Sequence, residues 1–281
     1  MMVARRYWRQ RLRLTLALAT LTLLSACANT TRPGAVGVNR SQFMMISSSE
    51  VNRLSAISYN EQNKKAKDKN VLVTSGPMYE RLKVIANRLI PHTQEFRDDT
   101  RDWDWQLTLI DAPVLNATCA PGGKITFYTG IINQLNLSDD EIAAIMGHEI
   151  AHALREHGRE RVSQAMAQNL VVNVAMAAAG PYGSAVSVGN QVAHYVFVLP
   201  NSRDNESEAD AIGLELAARA GYNPMGAVSV WEKMIKANKG KSSPEFLSTH
   251  PSGETRIEQL TALMPAVEPL YKVAPKPSTN K

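Results

Sequence analysis

The spacing of apolar and polar residues divides the chain into helical and extended segments. Residues 103–110 alternate and are rich in aromatic and β-branched types, so they predict a β-strand. Residues 114–128 predict two short strands around a Pro-Gly-Gly turn. Other segments have the apolar spacing of one helix face. They are residues 50–67, 77–90, 159–178, 203–219, 224–237 and 254–263.

One further helix has a clear start signal. Residues 138–141 read S-D-D-E, a serine followed three positions later by a glutamate. This is a capping box, which satisfies backbone N–H groups at the beginning of a helix. We expect the helix to run to about His157. Together these segments predict an α+β fold that is mainly α and contains a small β-sheet.

The most apolar stretch of the chain comprises residues 170–199. Gly180 and Pro181 break it into pieces of about ten and sixteen residues. Both pieces are shorter than the roughly 20 residues that a membrane-spanning helix needs. The stretch therefore predicts a buried helical hairpin, and a flap that touches a membrane is the alternative.

The N-terminal segment is typical of a targeting signal. Five arginines and no acidic residue come before an apolar run of eleven residues at 14–24. This run fits the hydrophobic region of a secretory signal peptide. It ends in L-S-A-C at 24–27, which resembles the lipobox of bacterial lipoproteins. We expect residues 1–26 to be a signal peptide and Cys27 to carry a lipid. The alternative is an ordinary secretory signal with a chance cysteine.

The sequence after this cysteine indicates a destination and a tether. Position 28 is alanine rather than aspartate, and by resemblance to lipoprotein sorting this favours the outer membrane, with the protein facing the periplasm. Such a lipid anchors a protein without making it span the bilayer. Residues 27–40 therefore predict a lipidated cysteine followed by a flexible tether without apolar periodicity. Residues 265–281 contain four prolines and predict an extended or disordered tail.

Charge and cysteine content narrow the function. The net charge of +5 at pH 7 is accounted for by the five arginines of residues 1–26, so the rest of the chain is neutral. The net charge therefore gives no support for nucleic-acid binding. Once Cys27 carries a lipid, Cys119 has no second cysteine to pair with. We expect Cys119 to pack as a small residue in or near a strand. A reactive or metal-binding thiol is the alternative.

The strongest chemical signal is H-E-I-A-H at residues 148–152, on the helix that follows the capping box. Four residues make slightly more than one helical turn, so His148 and His152 project from one face at the spacing of two ligands of one zinc ion. Glu149 is able to lean over the metal without ligating it. A separate apolar face of this helix predicts burial, and it carries Ile142, Met146, Ile150 and Ala153.

A zinc enzyme of this kind needs a third protein ligand and leaves a fourth position for water. The candidates are the acidic residues of D-N-E-S-E-A-D at 204–210. Spacing leaves two pairs open, Glu206 with Asp210 and Asp204 with Glu208, because the members of each lie four residues apart on one helix face. Any of them singly also fits the solvated acidic start of a helix.

The segment E-S-E-A-D at 206–210, downstream of H-E-x-x-H, resembles the E-x-x-A-D element of a gluzincin family of zinc metallopeptidases. That family includes the heat-shock protease HtpX and the CAAX prenyl protease. The resemblance covers roughly residues 75–264 and implies a zincin-like domain over 41–264, with its small sheet beside the active-site helix. The other matching stretches are N-A at 116–117, P-G-G at 121–123, G-I-I at 130–132, T-H-P at 249–251 and R-I at 256–257.

The resemblance also implies a metal site. One Zn²⁺ per chain would be held by His148, His152 and Glu206. Asp210 would accept an N–H from a ligand histidine, which fixes the tautomer of that histidine. Arg256 would hold its loop or pair with an acid.

Two further residues carry implied roles near the cleft. Asn116 would lie on a strand beside it, where a peptide could bind as an added strand. His250 matches a histidine near the metal, and two roles stay open: a hydrogen-bond donor to the transition state, or a fourth ligand that blocks the water. His92, His157 and His194 match no motif and predict structural or exposed positions.

The resemblance implies a zinc metalloendopeptidase that hydrolyses unfolded or misfolded envelope polypeptides in a Gram-negative bacterium. Zinc activates a bound water and polarises the carbonyl, and Glu149 would take the water proton as general base. One alternative is a chaperone-like factor that works with the outer-membrane assembly machinery and has a normally shut zinc site. Another is an amidase acting on cell-wall peptides. We expect polypeptide substrates, membrane attachment through Cys27 and no nucleic acid.

Overall fold

The computed structural model describes residues 27–179, 196, 200–238, 245–250 and 254–277. The described part is mainly helical with small sheets, which confirms the predicted α+β class. The helices are α1 (Ser48–Asp68), α2 (Pro77–Leu89), α3 (Thr129–Gln134), α4 (Asp139–Leu154), α5 (His157–Ala179), α6 (Arg203–Arg219), α7 (Met225–Asn238), α8 (Glu245–Thr249) and α9 (Glu254–Val273). The strands are β1 (Cys27–Ala28), β2 (Gln42–Phe43), β3 (Leu72–Val73), β4 (Gln106–Ile110), β5 (Ala117–Ala120) and β6 (Lys124–Tyr128).

The larger sheet has four strands in the order β3-β4-β6-β5. Strands β4 and β6 are parallel, and the other two pairs are antiparallel. The predicted Pro-Gly-Gly turn joins β5 to β6, where Gly122 and Gly123 have φ values of 81° and 84° that favour glycine. Strand β5 lies at an edge of the sheet and packs against α4. The sheet therefore presents one strand edge beside this helix.

Helix α4 lies at the centre of the core, between the sheet and helices α6 and α7. Its capping box is present, since Ser138 Oγ accepts from the Glu141 N–H and Glu141 Oε2 accepts from the Ser138 N–H, at 3.3 and 2.7 Å. The helix ends at Leu154, three residues before the predicted end, because Glu156 adopts a left-handed backbone with φ 51°.

Two glycines allow α4 and α6 to approach each other closely. A Cβ atom on Gly147 would lie 2.8 Å from the carbonyl oxygen of Gly213, and one on Gly213 would lie 2.6 Å from the backbone nitrogen of His148. Either methyl group would force the helices apart. This contact brings the second half of α4 against the first half of α6.

The predicted disorder of residues 265–281 is wrong for most of that segment. Helix α9 continues to Val273 with Pro265 and Pro269 inside it. Each proline removes one backbone hydrogen bond, but Val267 is completely buried in the core. Packing of this apolar face outweighs the local cost of the prolines.

The predicted flexible tether is also wrong. Residues 27–43, here called the N-terminal strap, lie against the domain. Strand β1 pairs with β2, so Cys27 lies opposite Phe43. Arg32 donates to the carbonyl of Glu95 at 2.9 Å, and the N–H of Val36 donates to Glu215 Oε2 at 3.1 Å. Polar and charged contacts hold the strap, and apolar periodicity does not reveal such contacts.

Two sequence-based predictions fall largely or wholly outside the described residues. The signal peptide at 1–26 is one of them. Of the apolar stretch 170–199, helix α5 accounts for residues up to Ala179 and confirms the helix predicted at 159–178. The hairpin itself lies outside the described residues. Within the described ranges, no helix combines the length and apolar character needed to cross a bilayer.

Candidate active site

Helix α4 places the two histidines of the H-E-x-x-H segment on one buried face. The Nε2 atoms of His148 and His152 are 3.0 Å apart, and their rings meet edge to face. Both residues are less than one-tenth exposed. One turn of helix therefore brings two imidazole nitrogens to one point, as the spacing predicts.

Two more side chains reach the same point from distant parts of the chain. Glu206 comes from the first turn of α6, and His250 follows the last residue of α8. Nδ1 of His250 lies 3.0 Å from Oε1 of Glu206 and 3.2 Å from Nε2 of His148. Oε2 of Glu206 lies 3.5 Å from His148 Nε2, and Oε1 lies 3.4 Å from His152 Nε2. One atom of each residue lies within 4.8 Å of the others.

The chemistry of this group fits a zinc ion. Ligands placed about 2.0–2.1 Å from tetrahedral zinc lie roughly 3.3 Å from one another, and the contacts given above lie between 3.0 and 3.5 Å. Imidazole nitrogens and carboxylates, the groups that meet here, are ligand types that zinc favours. The group is able to bind one metal ion.

The carboxylate of Asp210 and the guanidinium of Arg256 lie on the side of His148 that faces away from the cluster. Nδ1 of His148 lies 3.0 Å from Oδ1 of Asp210. Arg256 donates to both oxygens of Asp210, at 2.7 and 2.6 Å, and its Nη1 lies 2.7 Å from Glu206 Oε2. The guanidinium also lies 3.7 Å from the ring centroid of Trp231. The structure thus places Asp210 and Arg256 together, next to the candidate ligand atoms.

Glu149 is buried beside the cluster without joining it. Among the described residues, its Oε1 atom has no hydrogen-bond partner, and Nε2 of His250 is 3.4 Å away. Burial raises the pKa of Glu149, and electrostatic interactions with the neighbouring imidazoles offset this in part. A carboxylate with a raised pKa accepts a proton more readily than a fully solvated one, as a general base must.

Burial and neighbouring charges have opposite effects on the pKa values of the cluster. Burial alone would raise the pKa of Glu206, but His250, His148 and His152 lower it well below its usual range. Burial lowers the pKa of His152 well below its usual range. Burial also disfavours the charged form of His148, yet Asp210 and Glu206 raise its pKa to about 9. The cluster thus favours an ionised Glu206 and a neutral His152, which are the forms that bind metal.

A cavity of about 50 Å³ lies over Glu149 and His152. Asn116 lines this cavity immediately before the edge strand β5, and Oδ1 of Asn116 accepts the N–H of Ala117 at 2.9 Å. Thr118 and Cys119 of β5 line it too. Cys119 is buried in the strand, as the sequence predicts, and burial raises the pKa of its thiol.

Sequence reasoning missed the place of His157 in the site and considered Glu208 only as a candidate ligand. His157, predicted to be structural or exposed, is fully buried, and its Nδ1 lies 2.7 Å from Nδ1 of His152. Burial lowers the pKa of His157 to about 4. Its Nε2 lies 3.0 Å from Glu208 Oε2. Burial alone would raise the pKa of Glu208, but hydrogen bonds from His157, Arg40 and Arg155 lower it to about 2. The sequence signal for His157 was its proximity to the H-E-x-x-H motif, and that for Glu208 was its place in the acidic segment 204–210.

Comparison with known proteins identifies similar chains. The sequence profile described as "Peptidase family M48" matches residues 79–264. The chain is 38% identical over 156 residues to "Mitochondrial metalloendopeptidase OMA1" of Arabidopsis thaliana, which is 56% of this chain and 31% of that protein. It is 26% identical over 260 residues to "Metalloprotease LoiP" of Escherichia coli, which is 90% of this chain and 96% of that protein.

A second protein of Escherichia coli is also similar. The chain is 24% identical over 181 residues to the "Beta-barrel assembly-enhancing protease", which is 62% of this chain and 36% of that protein. The matched regions span less than half of this relative and of the Arabidopsis relative.

Proposed function

Because the chain belongs to peptidase family M48, we propose that it is a zinc-dependent metalloendopeptidase. His148, His152 and Glu206 would hold one zinc ion, and Glu149 would act as general base. The observation that carries this proposal is the convergence of these ligand atoms beside a buried carboxylate oxygen that has no hydrogen-bond partner among the described residues. The names of the relatives as metalloendopeptidases and proteases support it.

The protein's own groups divide the work of peptide hydrolysis. Bound zinc would lower the pKa of water and polarise the scissile carbonyl. Glu149 is placed to accept a proton at its free oxygen and to return it to the leaving amine. Asp210 and Arg256 orient His148 and Glu206 through the contacts described above.

The edge strand β5 supports an extended polypeptide as the substrate. In the four-stranded sheet, β5 pairs with β6 on one side only. Thr118 of β5 lines the cavity together with Asn116 and Glu149. A peptide that adds to this edge would present main-chain carbonyls to the site, so binding would depend on backbone rather than on one side chain. Unfolded segments of envelope proteins are suitable substrates, and the similarity to LoiP over nearly its whole length supports proteolysis as the activity.

Cys27 would carry a lipid that anchors the protein to the outer membrane, facing the periplasm. The lipobox-like sequence at 24–27 and the exposed position of Cys27 support this location. The similarity to two Escherichia coli proteases, one of them named for β-barrel assembly, is consistent with it.

The alternative, a chaperone-like factor with a normally shut site, is favoured by one observation. His250 lies among the ligand atoms and faces Glu149 with its other nitrogen. A fourth protein ligand there would occupy the position that water needs.

Metal analysis and casein digestion with the lipid-free 28–281 protein separate the two functions. We expect about one zinc per chain, digestion that a zinc-selective chelator abolishes, and loss of digestion in Glu149→Gln. A Glu149→Gln variant that retains the full cellular function of the protein would instead support the chaperone-like alternative.

A further inference from the structure

The second ligand histidine is backed by another imidazole rather than by a carboxylate. Nδ1 of His152 lies 2.7 Å from Nδ1 of His157, and Nε2 of His157 lies 3.0 Å from Oε2 of Glu208. His157 begins α5 and has no exposed surface. These three side chains form one buried, hydrogen-bonded chain of side chains that leads away from the ligand cluster.

The direction of each hydrogen bond in this chain follows from the position of the metal ligands. His152 turns its Nε2 toward the other ligand atoms, so a neutral imidazole that binds metal through Nε2 carries its proton on Nδ1. That N–H donates to Nδ1 of His157. His157 therefore carries its own proton on Nε2 and donates it to the Glu208 carboxylate. One tautomer of each ring satisfies all of these contacts.

Two arginines pair with Glu208, the last side chain of this hydrogen-bonded series. Arg155, which is fully buried, donates through Nε to Oε2 of Glu208 at 2.9 Å. Arg40 donates through Nε to Oε1 of Glu208 at 2.6 Å. Both carboxylate oxygens are thus occupied, and Glu208 cannot turn away from His157 without breaking an ion pair.

Arg40 belongs to the N-terminal strap, and its terminal nitrogens pair with a second carboxylate. Its two terminal nitrogens lie 2.6 and 2.9 Å from the two oxygens of Glu160. The backbone carbonyl of Arg40 accepts from Arg155 at 2.8 Å. Gln42, also on the strap and fully buried, donates to the Arg155 carbonyl at 2.7 Å and to Glu160 at 2.9 Å. The strap therefore supplies a cation opposite two largely buried carboxylates.

The two ligand histidines have parallel but different supports. Behind His148, the carboxylate of Asp210 accepts directly from the ring and is held by Arg256. Behind His152, the carboxylate acts through His157 and is held in part by Arg40 of the strap. Both supports end in a carboxylate paired with arginine, but the second includes a residue more than one hundred positions away in sequence.

We propose that His157, Glu208 and Arg40 are positioning residues that fix the orientation and the tautomer of His152. The N-terminal strap is thereby part of the metal site rather than a spacer behind the lipid anchor. This inference rests on the proposed function in one respect, that His152 binds the metal.

The main test compares Arg40→Gln with Arg32→Gln in the 28–281 protein. Arg32 lies on the same strap and pairs with the exposed Asp98 at 2.9 Å, so its loss removes a strap contact without touching the chain behind His152. Outer partners of ligand histidines typically contribute about 10–100-fold to metal affinity. We expect the zinc Kd, measured by competition with a chromophoric chelator, to rise about 10-fold or more in Arg40→Gln and to stay unchanged in Arg32→Gln. Equal zinc affinities in the two variants would overturn the inference.

Two further variants separate positioning from general destabilisation. His157→Phe preserves most of the ring volume and removes both hydrogen bonds, and it decides the question if Arg40→Gln does not fold. We expect it to weaken zinc binding and to shift the visible absorption of the Co²⁺-substituted protein, because the His152 ring loses its orientation. Arg40→Lys should recover part of the zinc affinity, since it keeps the charge but not the fork of donors.

A purely structural role would give another result. In that case His157→Phe and Arg40→Gln would lower the unfolding temperature of the zinc-free protein while zinc affinity and the Co²⁺ spectrum stayed as in the wild type. That result would refute the positioning role.

Failure of the proposed function is distinguishable from failure of this inference. A wild-type protein that binds no zinc contradicts the proposed function. A wild-type protein that binds zinc, loses it in His152→Ala and retains it fully in Arg40→Gln and His157→Phe contradicts only the positioning inference.

Discussion

At the scale of single residues, adjacent positions on α4 have separable roles. His148 and His152 turn their nitrogens to the ligand cluster, whereas Glu149 presents an oxygen that has no hydrogen-bond partner in the described part of the chain. Glutamate-to-glutamine changes, which replace one carboxylate oxygen by an amide nitrogen, therefore distinguish metal binding from proton transfer.

Glu149→Gln tests the general base. Glutamine has nearly the same shape, so we expect normal folding and normal zinc content. Turnover of casein should fall by about 10²–10⁴-fold, the usual contribution of a positioned acid–base group. Near-normal proteolysis by a zinc-loaded Glu149→Gln protein would contradict the mechanism.

Glu206→Gln tests the third ligand, with Glu208→Gln as its matched control two residues away. Glu206 contacts all three histidines of the cluster, whereas Glu208 reaches His152 only through His157. We expect zinc occupancy, measured by atomic absorption, to fall much further in Glu206→Gln. The opposite order would show that the ligand assignment is wrong.

His250→Ala separates the two roles left open for this histidine. Its Nδ1 lies at ligand distances from Glu206 and His148, so we expect it to hold the site shut in the resting protein. The alanine variant should then digest casein faster and release zinc to chelators more readily. If His250 instead donates to the transition state, turnover falls by about 10²–10³-fold with normal zinc content. Casein turnover and zinc retention that both match the wild type would exclude both roles.

At the scale of secondary-structure elements, α9 shows how packing outweighs local preference. Pro265 and Pro269 disfavour a helix, but Val267, which lies between them, is completely buried and α9 packs along α6. The end of α9 therefore belongs to the domain that holds Glu206.

Val267→Ala tests this contribution, and Val273→Ala on the same helix is the control. Val267 has no exposed surface, whereas Val273 is 83% exposed. Removing a buried branched side chain should lower the free energy of unfolding by about 2 kcal/mol, and the control should change it by less than about 0.5 kcal/mol. Chemical denaturation measures both, and equal stabilities of the two variants would mean that this turn of α9 does not stabilise the domain.

At the scale of the whole molecule, the strap connects the proposed anchor to the peptidase-family domain. Cys27 pairs with Phe43 in a two-stranded sheet, and Arg40 reaches the chain behind His152. A lipid on Cys27 would hold the domain close to the membrane surface, with little free tether between them.

Cys27→Ser tests the anchor. We expect this variant to be released from the membrane fraction or to accumulate as an unprocessed precursor, because the lipid acceptor is lost. Casein digestion by the purified protein should be unaffected, since Cys27 is exposed and lies outside the metal-ligand cluster. Unchanged membrane fractionation of the variant would count against the lipid.

The sequence alone predicted the features that depend on neighbours in the chain. Residues 138–154 illustrate this, because a capping box and a four-residue histidine spacing are both local properties of one helix. The α+β class followed from apolar periodicity in the same way. Glu206 and His250 required the resemblance to a family as well, since spacing left several acids equivalent.

Only the tertiary structure showed the features that join distant segments. Arg40, His157 and Glu208 meet through charge and hydrogen bonds, which leave no periodic signal in a sequence. The strap looked like a tether and the end of α9 like a disordered tail for the same reason. Their local composition is polar or rich in proline, and they are ordered by contacts with surfaces that exist only after the rest of the chain has folded.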